Sequence, residues 1–436
     1  MLRNKKGDMT PFDMGRKPKK QNPLLLPLIW GGSWLMTRKF RLRIERRNMK
    51  GLKPPYLVLS THQGFSDYYI APLALFPRRA AYVSDMEGFA AFGEWLYRGI
   101  GCIGKRRYVP DVTVVRNIRH ALFQQHVPVV VFPESRHSNV GTTSCIPDNM
   151  GKLVKMLGVP LVILSVHGSY LANPFWDESH TRKTRMEAVL ECVYTAQEVA
   201  ALGEEESQET VRQRLSYDEY RWQREQGIKI TYSRRAEGLH KALYQCIACG
   251  REGGMLSQGS ELSCGICGAV WEMDVYGCLR SKASGDGQIH IPDWYEWQRR
   301  QAQRECGENG GICQDFAVRV EALPSQRGFV DMGEGKLFLN AAGFSLEYAG
   351  EELFFPHKTR ESVQTEYDYR GRGQCIVLST RDCCYYIYSE DASFLPTKLQ
   401  FISEYLKEAQ DGKIIAESLS ERTKRSGSDI SEKGRD

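Results

Sequence analysis

The chain has 436 residues, too many for one ordinary hydrophobic core, and its 42% hydrophobic and 26% charged composition excludes disorder throughout. The net charge of +6 is unevenly spread: residues 1–50 hold 14 Lys or Arg against three acids, which leaves −5 for the remainder. A basic end of this kind suits an anionic surface, either lipid headgroups or nucleic acid.

Met1 to Gln21 is polar and Lys-rich, without the apolar stretch and cleavage site of a signal peptide. Leu24 to Met36 is the longest apolar run, interrupted by Pro27 and Gly31-Gly32. Its 13 residues fall short of the roughly 20 that a spanning helix needs, so it is expected to lie in the membrane interface. Arg38, Lys39, Arg41, Arg43, Arg46 and Arg47 would then face anionic headgroups. Residues 1–50 are therefore read as a membrane-contact arm.

Residues 51–235 alternate short β-rich runs with helical patterns, which predicts an α/β domain with a mostly parallel sheet. Tyr56–Ser60, Val127–Phe132 and Pro160–Val166 are continuous apolar runs of the kind buried on both faces. A helix is expected after Pro110-Asp111, with Val112, Val115, Ile118 and Leu122 on its buried face, and another over Asn149–Leu157.

Chemistry-bearing residues stand at the ends of these runs. His62-Gln-Gly-Phe-Ser-Asp67 follows the first strand, where open α/β sheets place their sites. The two side chains can meet only if the chain turns through Gln63-Gly64 and Asp67 opens a helix; the carboxylate would then orient the imidazole as a general base. Gly101-Cys-Ile-Gly-Lys-Arg-Arg107 offers glycine for close approach and basic residues for a phosphate, although a solvated basic loop reads the same way. Phe132-Pro-Glu-Ser-Arg136 ends another buried strand, where Glu134 and Arg136 must serve either a site or each other.

Taken in order, these blocks resemble the lysophosphatidate (1-acylglycerol-3-phosphate) acyltransferase family over about residues 50 to 200. His62 and Asp67 match its H-x4-D block, and Gly101 and Arg107 its second block, with Arg106 as a substitute. Phe132, Pro133 and Glu134 match its third block, and Val159-Pro160 its fourth. Departures are Ser135 in place of Gly, Arg136 one position early with His137 where the family has Arg, and Ile163 in place of a second Pro. The resemblance implies His62 as base, oriented by Asp67, and acceptor binding by Gly101, Arg106, Arg107, Glu134, Ser135 and Arg136. It further implies acyl-CoA or acyl-carrier protein as donor and a lysophospholipid as acceptor, 1-acyl-sn-glycerol-3-phosphate first among them. No Ser or Cys nucleophile is required, because a thioester is already activated; Cys102 and Cys145 are expected to pack.

Further along, Thr195 to Ala236 is charged and helical. Thirteen cysteines, sparse and odd in number, do not make a disulfide scaffold. Cys246-x-x-Cys249 and Cys264-x-x-Cys267, each followed by Gly, instead fit a closed four-thiolate structural Zn²⁺ and resemble a zinc ribbon over residues 236–280. Residues 281–325 are read as a connecting segment with a polar helix. Residues 326–412 carry short Tyr/Phe/Val strands and then a helix with Leu399, Ile402, Tyr405 and Leu406 on one face, which resembles a pleckstrin-homology or GRAM-like barrel closed by a helix. Residues 413–436 read as a disordered tail. The expected location is peripheral, on the cytoplasmic face of a membrane. The rival reading is a zinc-ribbon protein binding nucleic acid or protein, its α/β domain inactive; the arm's leucines and tryptophans favour lipid over nucleic acid.

Overall fold

The computed structural model describes residues 8–177, 180–283, 287–308 and 312–412; the tail assigned from sequence lies outside them. Seven strands form the first sheet: β1 (Arg43–Arg47), β2 (Leu57–Ser60), β3 (Ala81–Asp85), β4 (Cys102–Lys105), β5 (Val129–Val131), β6 (Leu161–His167) and β7 (Glu187–Tyr194). Their order is β1-β7-β6-β2-β5-β3-β4, and every pair is parallel except β6–β7.

Alternation along the strands builds a core on each face. Leu57, Leu59, Val129, Val131, Leu161 and Ile163 point to one side, and Val58, Val130, Val162 and Leu164 to the other. Each fully buried Val or Leu contributes roughly 1.5–3 kcal/mol, so continuous apolar runs are what a sheet covered on both faces requires. Helix Val112–Phe123 covers the first face, but through Val114, Ile118, Ala121 and Leu122; Val112, expected inside, is exposed. Asp111 caps the amide of Thr113, which sets Val112 at the first helical position, ahead of the buried stripe that begins at Val114. Helix Asp67–Leu75 packs on the second face through Ile70, Ala71, Ala74 and Leu75.

The N-terminal segment is not a separate arm. Arg43–Arg47 is the edge strand of the sheet, Phe12 is buried with Phe89, Leu323 and Tyr386, and Gln21 bonds to the backbone of Ala80 and Ile100. Arg46 donates to the carbonyls of Leu73 and Ala74 at the end of helix Asp67–Leu75, and Arg47 pairs with Glu45 at the surface. Helix Leu26–Thr37 is apolar on all sides and leaves Leu24, Leu28, Trp34 and Leu35 exposed around it. No helix among the described residues is long and apolar enough to cross a membrane.

The cysteine module is a five-stranded antiparallel sheet, β8 (Met255–Gln258), β9 (Glu261–Cys264), β10 (Val270–Met273), β11 (Cys278–Ser281) and β12 (Gln288–His290), followed by helix Ile291–Glu308. The last sheet holds β13 (Gln314–Leu323), β14 (Val330–Leu339), β15 (Gly343–Tyr348), β16 (Glu351–Pro356), β17 (Gln364–Glu366), β18 (Cys375–Ser379) and β19 (Cys384–Tyr388), in the order β16-β15-β14-β13-β19-β18-β17, antiparallel throughout. Residues 314–323, placed in the connecting segment from sequence, are thus its central strand: Phe316, Val318 and Val320 alternate inward between two partners. A helix over 396–412 packs on the sheet through Leu399, Phe401, Ile402 and Leu406.

Candidate active site

The parallel strands of the first sheet deliver their chemistry to a single edge. Beyond their carboxyl ends come Thr61-His62 after β2, Asp85 at the end of β3, Lys105 at the end of β4 and Phe132–Glu134 after β5. After β2 the chain turns as the sequence requires. Asp67 opens its helix and its Oδ2 accepts from the amides of Gln63 (2.6 Å) and Gly64 (3.0 Å), folding the loop back so that His62 Nδ1 lies 3.5 Å from the same carboxylate. Gly64 leaves room for this, since a Cβ there would stand 3.3 Å from Ser169 Oγ.

His62 is 4% exposed, with its ring 4.5 Å from Phe132 and 4.6 Å from His137. Burial pulls its pKa down to about 4 against the opposing attraction of Asp67, so the imidazole is neutral near pH 7. Its Nε2 is 3.2 Å from the Tyr68 hydroxyl, and burial keeps that phenol protonated. The tautomer inferred from these partners has Tyr68 donating to Nε2 and the ring proton on Nδ1, facing Asp67. That is the form a general base needs, and the Tyr68 hydroxyl stands where an acceptor hydroxyl would have to come.

Glu134 is fully buried and both of its oxygens are engaged. Oε1 accepts from the His62 amide at 2.8 Å, while Oε2 accepts from the Ser144 amide (2.8 Å), the Ser144 hydroxyl (2.9 Å) and the Tyr217 hydroxyl (3.0 Å). It is a backbone tie beneath the histidine, in contrast to the acceptor contact the resemblance implied. Three other residues assigned to the acceptor also lie elsewhere. Gly101 is at the opposite end of β4, where φ is +88° and a Cβ would meet the Ala80 carbonyl at 2.7 Å; it is a close-approach position. Arg106 donates to the carbonyls of Pro324, Arg381 and Asp382, tying the last sheet to the first. Arg136 is buried and donates to the Gln400 side chain on helix 396–412. The one-residue shift of Arg136 explains its placement: the next position, which the family fills with Arg, is His137, and it is His137 that reaches His62.

Arg107 does stay at the site. It meets Asp85 at 2.6 Å, Glu87 at 3.3 Å and Glu366 at 3.3 Å, the last from β17. Ser135, at φ +59°, accepts from Lys105 Nζ at 2.7 Å. Lys105, Tyr68 and His137 are not among the site residues that the resemblance implies. Lys105 lay in the basic run and His137 at a departure from the family pattern; Tyr68 had no signal beyond following Asp67. Burial, with Arg107 nearby, lowers the Lys105 ammonium to about 8. His62, Tyr68, Asp85, Lys105, Arg107 and Ser135 line a small cavity of about 30 Å³. Arg107 also lines a larger one of about 430 Å³, walled by Lys39, Phe65, Glu87, His137, Phe175 and Glu366 among others, so the two adjoin. Burial pushes the Cys145 thiol up to about 12 and raises that of Cys102 as well, which leaves neither as a ready nucleophile.

In the cysteine module the four sulfurs lie within 4.8 Å of one another, with Cys246–Cys267 at 3.8 Å and Cys249–Cys264 at 3.9 Å. A tetrahedron with Zn–S of about 2.3 Å has S···S edges of about 3.8 Å. Gly250 and Gly268, at φ +73° and +75°, turn each knuckle back so that its amides face the first sulfur. The donor set fits a closed tetrahedral ion.

Residues 41–167 match the family model described as Acyltransferase, and this site lies within the matching segment of the α/β domain. The match spans under a third of the chain and includes His62, Asp67, Arg107 and Glu134. No curated protein sequence matches the chain. Among solved structures it is similar to that of the 1-acyl-sn-glycerophosphate (LPA) acyltransferase, PlsC, from Thermotoga maritima, at 16% identity over 43% of this chain and 76% of that one, with a TM-score of 0.37.

Proposed function

We propose that the protein transfers an acyl group from acyl-CoA or acyl-carrier protein to the free hydroxyl of a lysophospholipid at a membrane surface. The observation that carries this reading is His62 at the edge of the sheet with its Nδ1 3.5 Å from the Asp67 carboxylate, inside the segment that matches the acyltransferase model. The acceptor hydroxyl displaces Tyr68 from Nε2 and gives up its proton to it as the oxygen attacks the thioester carbonyl. Asp67 stabilises the imidazolium that forms, and His62 returns the proton to the departing thiolate. General-base catalysis of this kind contributes about 10²–10⁴-fold. Lys105 offers a positive charge in the same cavity as His62, suited to the oxyanion that develops.

The four-block resemblance points to 1-acyl-sn-glycerol-3-phosphate as acceptor. Membrane contact is assigned to Leu24, Leu28, Trp34 and Leu35, all more than half exposed, beside the mouth that Met36 and Lys39 line. The location proposed with this contact is peripheral, on the cytoplasmic face of a membrane. A zinc ion held by Cys246, Cys249, Cys264 and Cys267 would be structural, because four thiolates leave no open position for a substrate. Purified protein assayed with both donors against a panel of lysolipids tests the reading; failure to acylate any of them contradicts it.

A further inference from the structure

The cavity beside His62 carries a charge pattern that a bare phosphate does not match. Arg107 keeps its charge, its pKa raised despite burial by the carboxylates Glu87, Asp85 and Glu366. Two of these, Glu87 and Glu366, line the same cavity of about 430 Å³, and Lys39 adds a second positive charge. The walls therefore present two cations and two anions. A phosphate monoester, with a charge of about −1.5 to −2 near neutral pH, would reach Arg107 between like charges, which a selective site avoids. Phe175 and Tyr369 add aromatic rings to the same walls, and such rings attract ammonium groups.

We infer that the acceptor carries a zwitterionic, amine-bearing polar head, and that Glu366, supplied by the C-terminal sheet, is a determinant of that choice. The phosphodiester's single negative charge meets Lys39 and Arg107, and its ammonium meets Glu87 and Glu366. The inference rests on the proposed acylation of a lysophospholipid and replaces the phosphate monoester that the family resemblance suggested. It also gives the C-terminal unit a part in the site: Gln364, Glu366 and Tyr369 close one wall of the cavity, and the Arg106 bonds to Pro324, Arg381 and Asp382 fix that wall in place.

The test uses the full chain in mixed micelles, with oleoyl-CoA and oleoyl-acyl-carrier protein as donors. The acceptors are 1-oleoyl-glycerol-3-phosphate, 1-oleoyl-glycerophosphoglycerol and 1-oleoyl-glycerophosphoethanolamine. The expected kcat/KM is at least tenfold higher for the ethanolamine lipid than for the monoester, with the glycerol lipid between them. Glu366→Gln should lower that preference at least tenfold, chiefly through KM. Glu87→Gln should lower it too, and it lies outside the C-terminal sheet should Glu366→Gln loosen that unit. Preference of the native protein for the monoester, or an unchanged ratio in folded Glu87→Gln protein, overturns this inference alone. No transfer to any acceptor overturns the underlying reading and this one with it.

Discussion

The carboxylate of Glu134 holds the backbone amide of His62 at 2.8 Å, joining the loop after β2 to the end of β5 across 72 residues of sequence. Its other oxygen gathers three donors from Ser144 and Tyr217. The histidine's position is therefore set from below by Glu134 and from the side by Asp67.

That geometry predicts how Glu134 fails. Glu134→Ala leaves buried donors at His62, Ser144 and Tyr217 without their acceptor, and each such group costs about 1–3 kcal/mol. The melting temperature should drop by several degrees and kcat should fall, with acceptor KM nearly unchanged in whatever folds. A rise in KM with kcat preserved would place Glu134 on the acceptor instead.

The low pKa of His62 sets a pH dependence with a definite sign. Burial depresses it from 6.5 to about 4. Between those values the unfolded chain binds a proton at this residue and the folded chain does not, so stability falls as pH drops through that window. The contribution is on the order of 3 kcal/mol. The base also stays unprotonated, so the acid limb of kcat/KM should lie below pH 5. A limb at 6.5 would mean an exposed histidine.

For the cysteine module, metal analysis should find about one zinc per chain. Cys246→Ser or Cys264→Ser should lose it and lower the melting temperature while leaving the rate of the chemical step in folded protein unchanged, because no open coordination position reaches His62. Metal-free native protein would contradict the assignment.

Membrane attachment should depend on the exposed side chains around helix Leu26–Thr37. Deleting residues 1–36 is a poor test, since Phe12 and Gln21 belong to the fold. Replacing Leu24, Leu28 and Trp34 with Ser removes about 1.5–3 kcal/mol of apolar burial at each. Flotation with anionic vesicles should fall at least tenfold, and activity on vesicles should fall more than activity on a short-chain acceptor. Unchanged flotation would put the contact elsewhere.

Much of this was legible in the sequence because it depends on local pattern. The apolar runs fixed on β2, β5 and β6 since only strands buried on both faces need them, and Gly64 with Asp67 foretold the turn that brings His62 to its carboxylate. What the sequence hid depends on contacts between distant segments. Nothing local shows that Arg106 and Arg136 bind the C-terminal unit, that Glu134 faces inward, or that Glu366 reaches Arg107. Arg43–Arg47 reads as a basic arm because an edge strand exposes most of its side chains. Gln314–Leu323 reads as linker because Asp315, Arg319 and Glu321 interrupt its apolar face, although Glu321 is buried and paired with Arg370 and Arg372.

The central claim is that His62 is the base for acyl transfer, and one measurement bears on it most directly: acylation of a lysophospholipid by His62→Ala protein whose fold is verified by circular dichroism and melting. His62 is buried against Phe132 and His137, so the fold check comes first; in folded variant protein kcat should fall at least a hundredfold, and Asp67→Asn should fall similarly through loss of orientation. Folded His62→Ala protein that transfers acyl groups at the native rate would contradict the account.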